Sequence, residues 1–182
     1  MGSLFYCHRT ILAEVSRGHI MDHQLFTLAQ FVGQALQAQQ KKLVTAESCT
    51  GGWIAQVLTD VPGSSLWFDR GFVTYSNAAK IQMLGVNPKT LEHYGAVSAQ
   101  TVTEMVEGAL LHSDADIAIA VTGIAGPSGG TEDKPVGTVF IAWASKAAGY
   151  KVIQESLSGD RQAIRRQTVV LALKGLTDSI SA

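Results

Sequence analysis

Lys41–Gly52 reads KKLVTAESCTGG, and the fold turns on how that stretch divides. Lys41–Glu47 carries apolar and β-branched residues and predicts a short strand. Ser48–Gly52 (SCTGG) is small, polar and ends in two glycines, which predicts a tight turn. Trp53–Leu58 then continues as a helix. A strand, a tight turn and a helix in succession make the repeating unit of layered α/β folds.

The same alternation extends in both directions. Upstream, Leu25, Leu28, Ala29, Val32, Ala35 and Leu36 fall on one helical face. Downstream, Val61–Ser65 reads as a loop and Phe68–Tyr75 as a strand. Asn77–Leu84 reads as a helix capped by Asn77. Pro88–Tyr94 predicts a short helix, and Ser98 can cap a longer one on which Val102, Met105, Val106 and Ala109 share a face. Asp116–Val121 (DIAIAV) is apolar enough for a buried strand. Thr122–Pro135 (TGIAGPSGGTEDKP) is a loop rich in glycine and proline. Val136–Ala144 and Lys151–Leu157 predict an antiparallel pair joined near Gly149, and Asp160 can cap a final helix. The prediction is a three-layer α/β/α sandwich around a mixed sheet of about five strands, forming one domain over residues 22–182.

Composition narrows the function. The chain has 182 residues, 46% of them hydrophobic and 16% charged, with a net charge of −1. That is enough apolar material for one core. It provides no broad basic surface for nucleic acid or an anionic membrane, and no apolar run long enough to span a bilayer. Cys7 and Cys49 are too few for a disulfide framework or a structural zinc site, and a reducing, cytoplasmic setting is expected. His19, His23, His93 and His112 are scattered without metal-ligand spacing, so neither a metal nor a cofactor is expected. Met1–Met21 has no signal-peptide core. Its MGS opening and SRGHIM close resemble an expression leader joined to a start at Met21, so Cys7 and His8 are set aside.

Four polar constellations remain. In Thr45–Gly52 a serine stands where a helix begins, and helix N-termini offer free N–H groups to a phosphate or a developing oxyanion. Ser48 is a candidate nucleophile, with backbone N–H groups of Cys49, Thr50 and Gly51 as oxyanion donors; Ser48 or Thr50 as a plain helix cap explains the segment equally well. Cys49 is a competing nucleophile if its thiol is acidified. Glu47 either orients a partner or pairs with a lysine. In Val73–Lys80 (VTYSNAAK), Tyr75 sits at a strand end and Lys80 in the first turn of the next helix. The helix dipole and partial burial would lower the lysine pKa there toward that of a general base. An ordinary solvated lysine is the alternative. In Ser158–Arg166 (SGDRQAIRR), Arg161 and Arg165 share a helix face, suited either to an anion or to solvent. Thr122, Gly123 and Gly126 open the long loop and join Glu47, Arg161 and Arg165 as candidate substrate-binding residues. That loop is neither a Walker loop nor a dinucleotide fingerprint, and no GxSxG elbow accompanies Ser48.

Taken in order, TAESCTGG, VTYSNAAK, GAVS at Gly95–Ser98, AVTGIAGPSGG and SGDRQAIR resemble the C-terminal domain of the competence/damage-inducible CinA proteins, which includes stand-alone nicotinamide-nucleotide amidases. The resemblance runs from Asp22 to the end. It implies a three-layer α/β/α fold, a homo-oligomer, and hydrolysis of nicotinamide mononucleotide to nicotinic acid mononucleotide and ammonia in pyridine nucleotide recycling. It also implies catalytic roles for Ser48, Tyr75 and Lys80. A non-catalytic nucleotide-binding or regulatory module, and an amidase or esterase for another nucleotide, are the competing expectations.

Overall fold

The computed structural model describes residues 22–181, with side chains described as far as Thr177. The leader expected over 1–21 lies outside the described residues. The chain runs α1 (His23–Ala38), β1 (Leu43–Glu47), α2 (Trp53–Thr59), a short 3-10 turn (Ser64–Leu66), β2 (Phe68–Val73) and α3 (Asn77–Leu84). It continues through α4 (Pro88–Tyr94), α5 (Ala99–Leu111), β3 (Ile117–Gly123), β4 (Thr138–Ser145), β5 (Gly149–Ser156) and α6 (Arg161–Ser181).

The sheet order is β2-β1-β3-β4-β5. β1 pairs in parallel with both β2 and β3, whereas β3–β4 and β4–β5 are antiparallel. The mixed five-stranded sheet is covered on both faces, as the interleaved pattern predicts. Alternation along the strands divides the core in two. Leu43, Ile117, Ile119, Val121, Val139 and Ile141 pack under α1, α2 and α6. Val44, Ala46, Ala118, Ala120, Phe140 and Ala142 pack under α3 and α5. The second face is rich in alanine, which lets α5 lie close to the strands.

Capping chemistry sets the helix starts. Ser98 accepts the N–H of Thr101, Asn87 that of Lys89, and Asp160 that of Ala163. The cap of α3 is Ser76, not Asn77: its hydroxyl accepts the Ala79 N–H at 3.1 Å. A serine one residue earlier satisfies the same geometry, and short-range pattern does not choose between the two. β2 stops at Val73, so Tyr75 lies two residues beyond the strand. β1 starts at Leu43 and β4 at Thr138, each two residues later than predicted, while β5 starts two residues earlier, at Gly149.

The topology singles out one place. From β1 the chain passes through α2 to β2 on one side, and from β2 it returns through α3–α5 to β3 on the other. The carboxyl ends of β1 and β3 therefore bound the crevice where the crossover direction reverses, the usual ligand site of open α/β sheets.

Candidate active site

Ser48 is the first residue after β1, in that crevice. Its N–H donates to the Val121 carbonyl at 3.1 Å, and the Thr74 N–H donates to the Glu47 carbonyl at 2.8 Å. The turn is thus clamped to β3 on one side and to the segment after β2 on the other. Gly51 and Gly52 have φ of 63° and 93°, which explains the paired glycines of SCTGG.

Glu47 holds the turn from inside. One carboxylate oxygen accepts from the Thr50 hydroxyl (2.7 Å) and from the N–H groups of Gly52 and Ile54 (3.0 Å each), and the other accepts from Ala55 N–H (2.8 Å). Its buried carboxylate caps α2. It neither pairs with a lysine nor lines either cavity described below. This changes the expected oxyanion geometry, because the first-turn donors of α2 are already used. Gly51 N–H is used as well, by the Ser48 carbonyl at 3.1 Å. Among the described residues, the N–H groups of Cys49 and Thr50 have no oxygen partner.

Lys80 lies against Ser48. Its Nζ donates to Ser48 Oγ at 2.9 Å and to the Thr74 carbonyl at 2.8 Å. The side chain is 1% exposed, and burial lowers its pKa from 10.5 to about 8. It is the fourth residue of α3, so the first-turn placement holds with Ser76 as cap. Cys49 moves the other way. Burial pushes its thiol up to about 12, so it carries no thiolate near neutrality, and it is the neighbouring Ser48 hydroxyl that Lys80 Nζ contacts.

Tyr75 is 62% exposed, and its hydroxyl accepts from Arg161 Nη2 at 2.9 Å. Arg161 Nη1 donates to the Gly126 carbonyl at 2.8 Å, so one guanidinium joins the tyrosine to the long loop. Arg165 points elsewhere. Its Nε and Nη2 donate to the carbonyls of Cys49 (3.1 Å) and Thr50 (2.6 Å), and its guanidinium lies 5.3 Å from the Trp53 ring centre. Among the described residues neither arginine forms an ion pair with a carboxylate.

Ser48, Tyr75, Lys80, Thr122, Gly123 and Arg161 line one cavity of about 190 Å³. Ala96 and Val97 form part of its wall, a role the sequence reading did not assign. The Thr122 hydroxyl holds that wall by donating to the Ala96 carbonyl at 2.7 Å. The GAVS segment was the available signal, since its Gly95 has a φ of 76° and Ser98 caps α5. Arg161 also borders a second, more open cavity of about 500 Å³, shared with Gly51, Trp53, Gln56, Gln162 and Arg165. Among the described residues no cluster of His, Cys, Asp or Glu could hold a metal ion.

The CinA C-terminal domain family model matches residues 25–180. The nicotinamide-nucleotide amidohydrolase PncC of Escherichia coli (strain K12) is 54% identical over 155 residues, covering 85% of this chain and 94% of that protein. The protein of the same name from Pseudomonas putida is 51% identical over 152 residues, covering 82% and 93%. Among solved structures, the competence/damage inducible protein CihA from Agrobacterium tumefaciens superposes with a TM-score of 0.86 at 43% identity, covering 90% of this chain and 99% of that one. A CinA superfamily protein from Klebsiella pneumoniae gives a TM-score of 0.83 at 38% identity, covering 86% and 98%. With the family model matched over residues 25–180 and the fold matched by solved structures of that family, the chain belongs to the CinA C-terminal domain family.

Proposed function

We propose that this chain is a nicotinamide-nucleotide amidohydrolase that converts nicotinamide mononucleotide to nicotinic acid mononucleotide and ammonia, with Ser48 as nucleophile and Lys80 as general base. The observation that carries the chemistry is the 2.9 Å contact between Lys80 Nζ and Ser48 Oγ, made by a lysine whose pKa is lowered to about 8. The substrate follows from the amidohydrolases that share half of this sequence over most of both lengths.

At neutral pH about one-tenth of such a lysine is unprotonated and ready to accept the serine proton. Ser48 Oγ attacks the carboxamide carbon as its proton passes to Lys80 Nζ. The tetrahedral oxygen takes the N–H groups of Cys49 and Thr50. Lys80 returns the proton to the leaving nitrogen, the C–N bond breaks, and ammonia departs from a Ser48 ester. Water then attacks that ester with Lys80 again as base, giving the carboxylate and free Ser48. The cationic pyridinium makes the carboxamide more electrophilic than a neutral amide. Tyr75, held by Arg161, flanks the reacting group, and Arg161 supplies an unneutralised cation for the ribose phosphate at the border of the two cavities. The loop from Thr122 to Pro135 covers the nucleotide. The enzyme serves pyridine nucleotide recycling as a cytoplasmic homo-oligomer. Among the described residues no helix is long and apolar enough to cross a membrane.

Ammonia release from nicotinamide mononucleotide, with and without chelator, tests the proposal beside Ser48→Ala. Chelator-resistant release that falls by at least about 10³-fold in the variant is expected. Near-normal release from Ser48→Ala rules out this nucleophile. No release from folded wild type favours a nucleotide-binding module.

A further inference from the structure

We propose that Arg165 is a positioning residue for the reaction, one that orients and polarises the oxyanion-binding Thr50 N–H of the nucleophile turn from behind. The inference rests on the serine reading above and adds to it a residue that reaches the reacting atoms only through the backbone.

The turn contains three consecutive peptide units whose carbonyls belong to Ser48, Cys49 and Thr50. The Ser48 carbonyl accepts from Gly51 N–H, and those of Cys49 and Thr50 accept from Arg165. In a trans peptide the C=O and N–H point in opposite directions. Fixing the Cys49 carbonyl toward α6 therefore turns the Thr50 N–H away from α6. The Thr50 carbonyl shares its peptide with Gly51 N–H, which is consumed inside the turn, so of the two peptides that Arg165 holds the donor left over is Thr50 N–H. A guanidinium on the carbonyl end of a peptide also strengthens its N–H as a donor. The planar fork is what allows one side chain to take two carbonyls, and the Trp53 ring, 5.3 Å from the guanidinium carbon, adds a cation–π contact.

The geometry separates Arg165 from Arg161. Arg161 faces Tyr75, the loop and both cavities. Of the two cavities, Arg165 borders the larger, whose lining includes neither Ser48 nor Lys80. A phosphate ligand acts mainly on substrate affinity. A residue that aims oxyanion donors acts on the transition state, hence on kcat.

Steady-state kinetics of Arg165→Gln, Arg165→Lys and Arg165→Ala test this, with folding checked by circular dichroism and thermal melting. Arg165→Gln is expected to lose about 100-fold in kcat while KM stays within about 3-fold. Arg165→Lys keeps the charge without the fork and loses about 10-fold. Guanidinium ion, which can enter through the open cavity, is expected to restore kcat of Arg165→Ala by about 10-fold at concentrations well below denaturing. A raised KM with unchanged kcat makes Arg165 a substrate ligand and overturns the proposal. A kcat loss that only tracks the loss of folded protein, without guanidinium rescue, overturns it as well. Ser48→Ala keeps the two readings apart, because activity in that variant refutes the nucleophile whatever Arg165 does.

Discussion

Residues 47–52 and residues 124–137 are two connections built in opposite ways. The first is short and buried as far as Thr50, and a carboxylate inside the turn, an arginine behind it and strands on either side hold its polar groups, the N–H groups of Cys49 and Thr50 excepted. The second is long and largely exposed. It is pinned at its base by Ile124 and Gly137, along its length by the Arg161–Gly126 contact, and at its tip by Lys134 Nζ on the Tyr94 carbonyl at 2.8 Å. The proposed mechanism assigns the chemistry, which needs sub-ångström placement, to the connection anchored in the sheet, and adaptable recognition to the one at the surface. Variants of the turn should therefore change kcat, and variants of the loop KM.

The largest effect is expected at Lys80. Lys80→Met should reduce kcat by about 10³-fold or more, since the serine proton loses its acceptor. In the wild type, kcat/KM should rise with pH through about 8, because the neutral lysine is the active form. Stability carries the same signature. The folded-state pKa lies below the unfolded 10.5, so below about pH 8 the buried charge costs stability. Between about 8 and 10.5 the unfolded chain holds a proton the folded chain does not, and stability rises with pH. Lys80→Met should lose that rise and be more stable at pH 7, by of the order of 1 kcal/mol, despite the Thr74 carbonyl losing its donor. A flat wild-type pH profile, or a less stable variant, breaks the assignment.

Glu47→Gln comes next. The carboxylate accepts four donors, and an amide nitrogen at either position would face an N–H. A loss of about 2–3 kcal/mol is expected, or roughly 5–10 °C in Tm for a domain of this size, together with about a 10-fold fall in kcat. Unchanged melting would show that the turn is held by its strand contacts alone.

The two regions were not equally legible in the sequence. The helical periodicity of Leu25–Leu36 and the short, mostly apolar runs Leu43–Glu47 and Ile117–Val121 carry the layered fold, because strands covered on both faces are buried along their whole length. SCTGG announces the turn, because the left-handed φ values there favour glycine. The purposes of the polar side chains were less visible. Glu47 could be read as a substrate residue because sequence does not reveal that its carboxylate lies under the N–H groups of α2. Arg161 and Arg165 are equivalent by spacing, yet differ by which elements α6 passes, and that is set by long-range packing. Ala96 and Val97 carry no chemistry of their own, so only the Thr122–Ala96 hydrogen bond identifies them as wall.

The smallest effect is expected at the loop tip, and it is the sharpest test of the contrast. Lys134 is half-buried, and its ammonium reaches across 40 residues to the Tyr94 carbonyl at 2.8 Å. Its backbone closes a small turn with Thr131 through bonds of 2.9 and 3.1 Å. Lys134→Met keeps those backbone bonds and removes only the tether. An exposed hydrogen bond of this kind contributes about 0.5–1 kcal/mol, so Tm should barely move. If the loop closes over the nucleotide, loosening it should raise KM by about 2- to 4-fold and leave kcat within error. A change confined to kcat would mean that the loop takes part in placing the reacting atoms. The separation between a rigid chemical side and an adaptable binding side would then fail at the point where it should be cleanest.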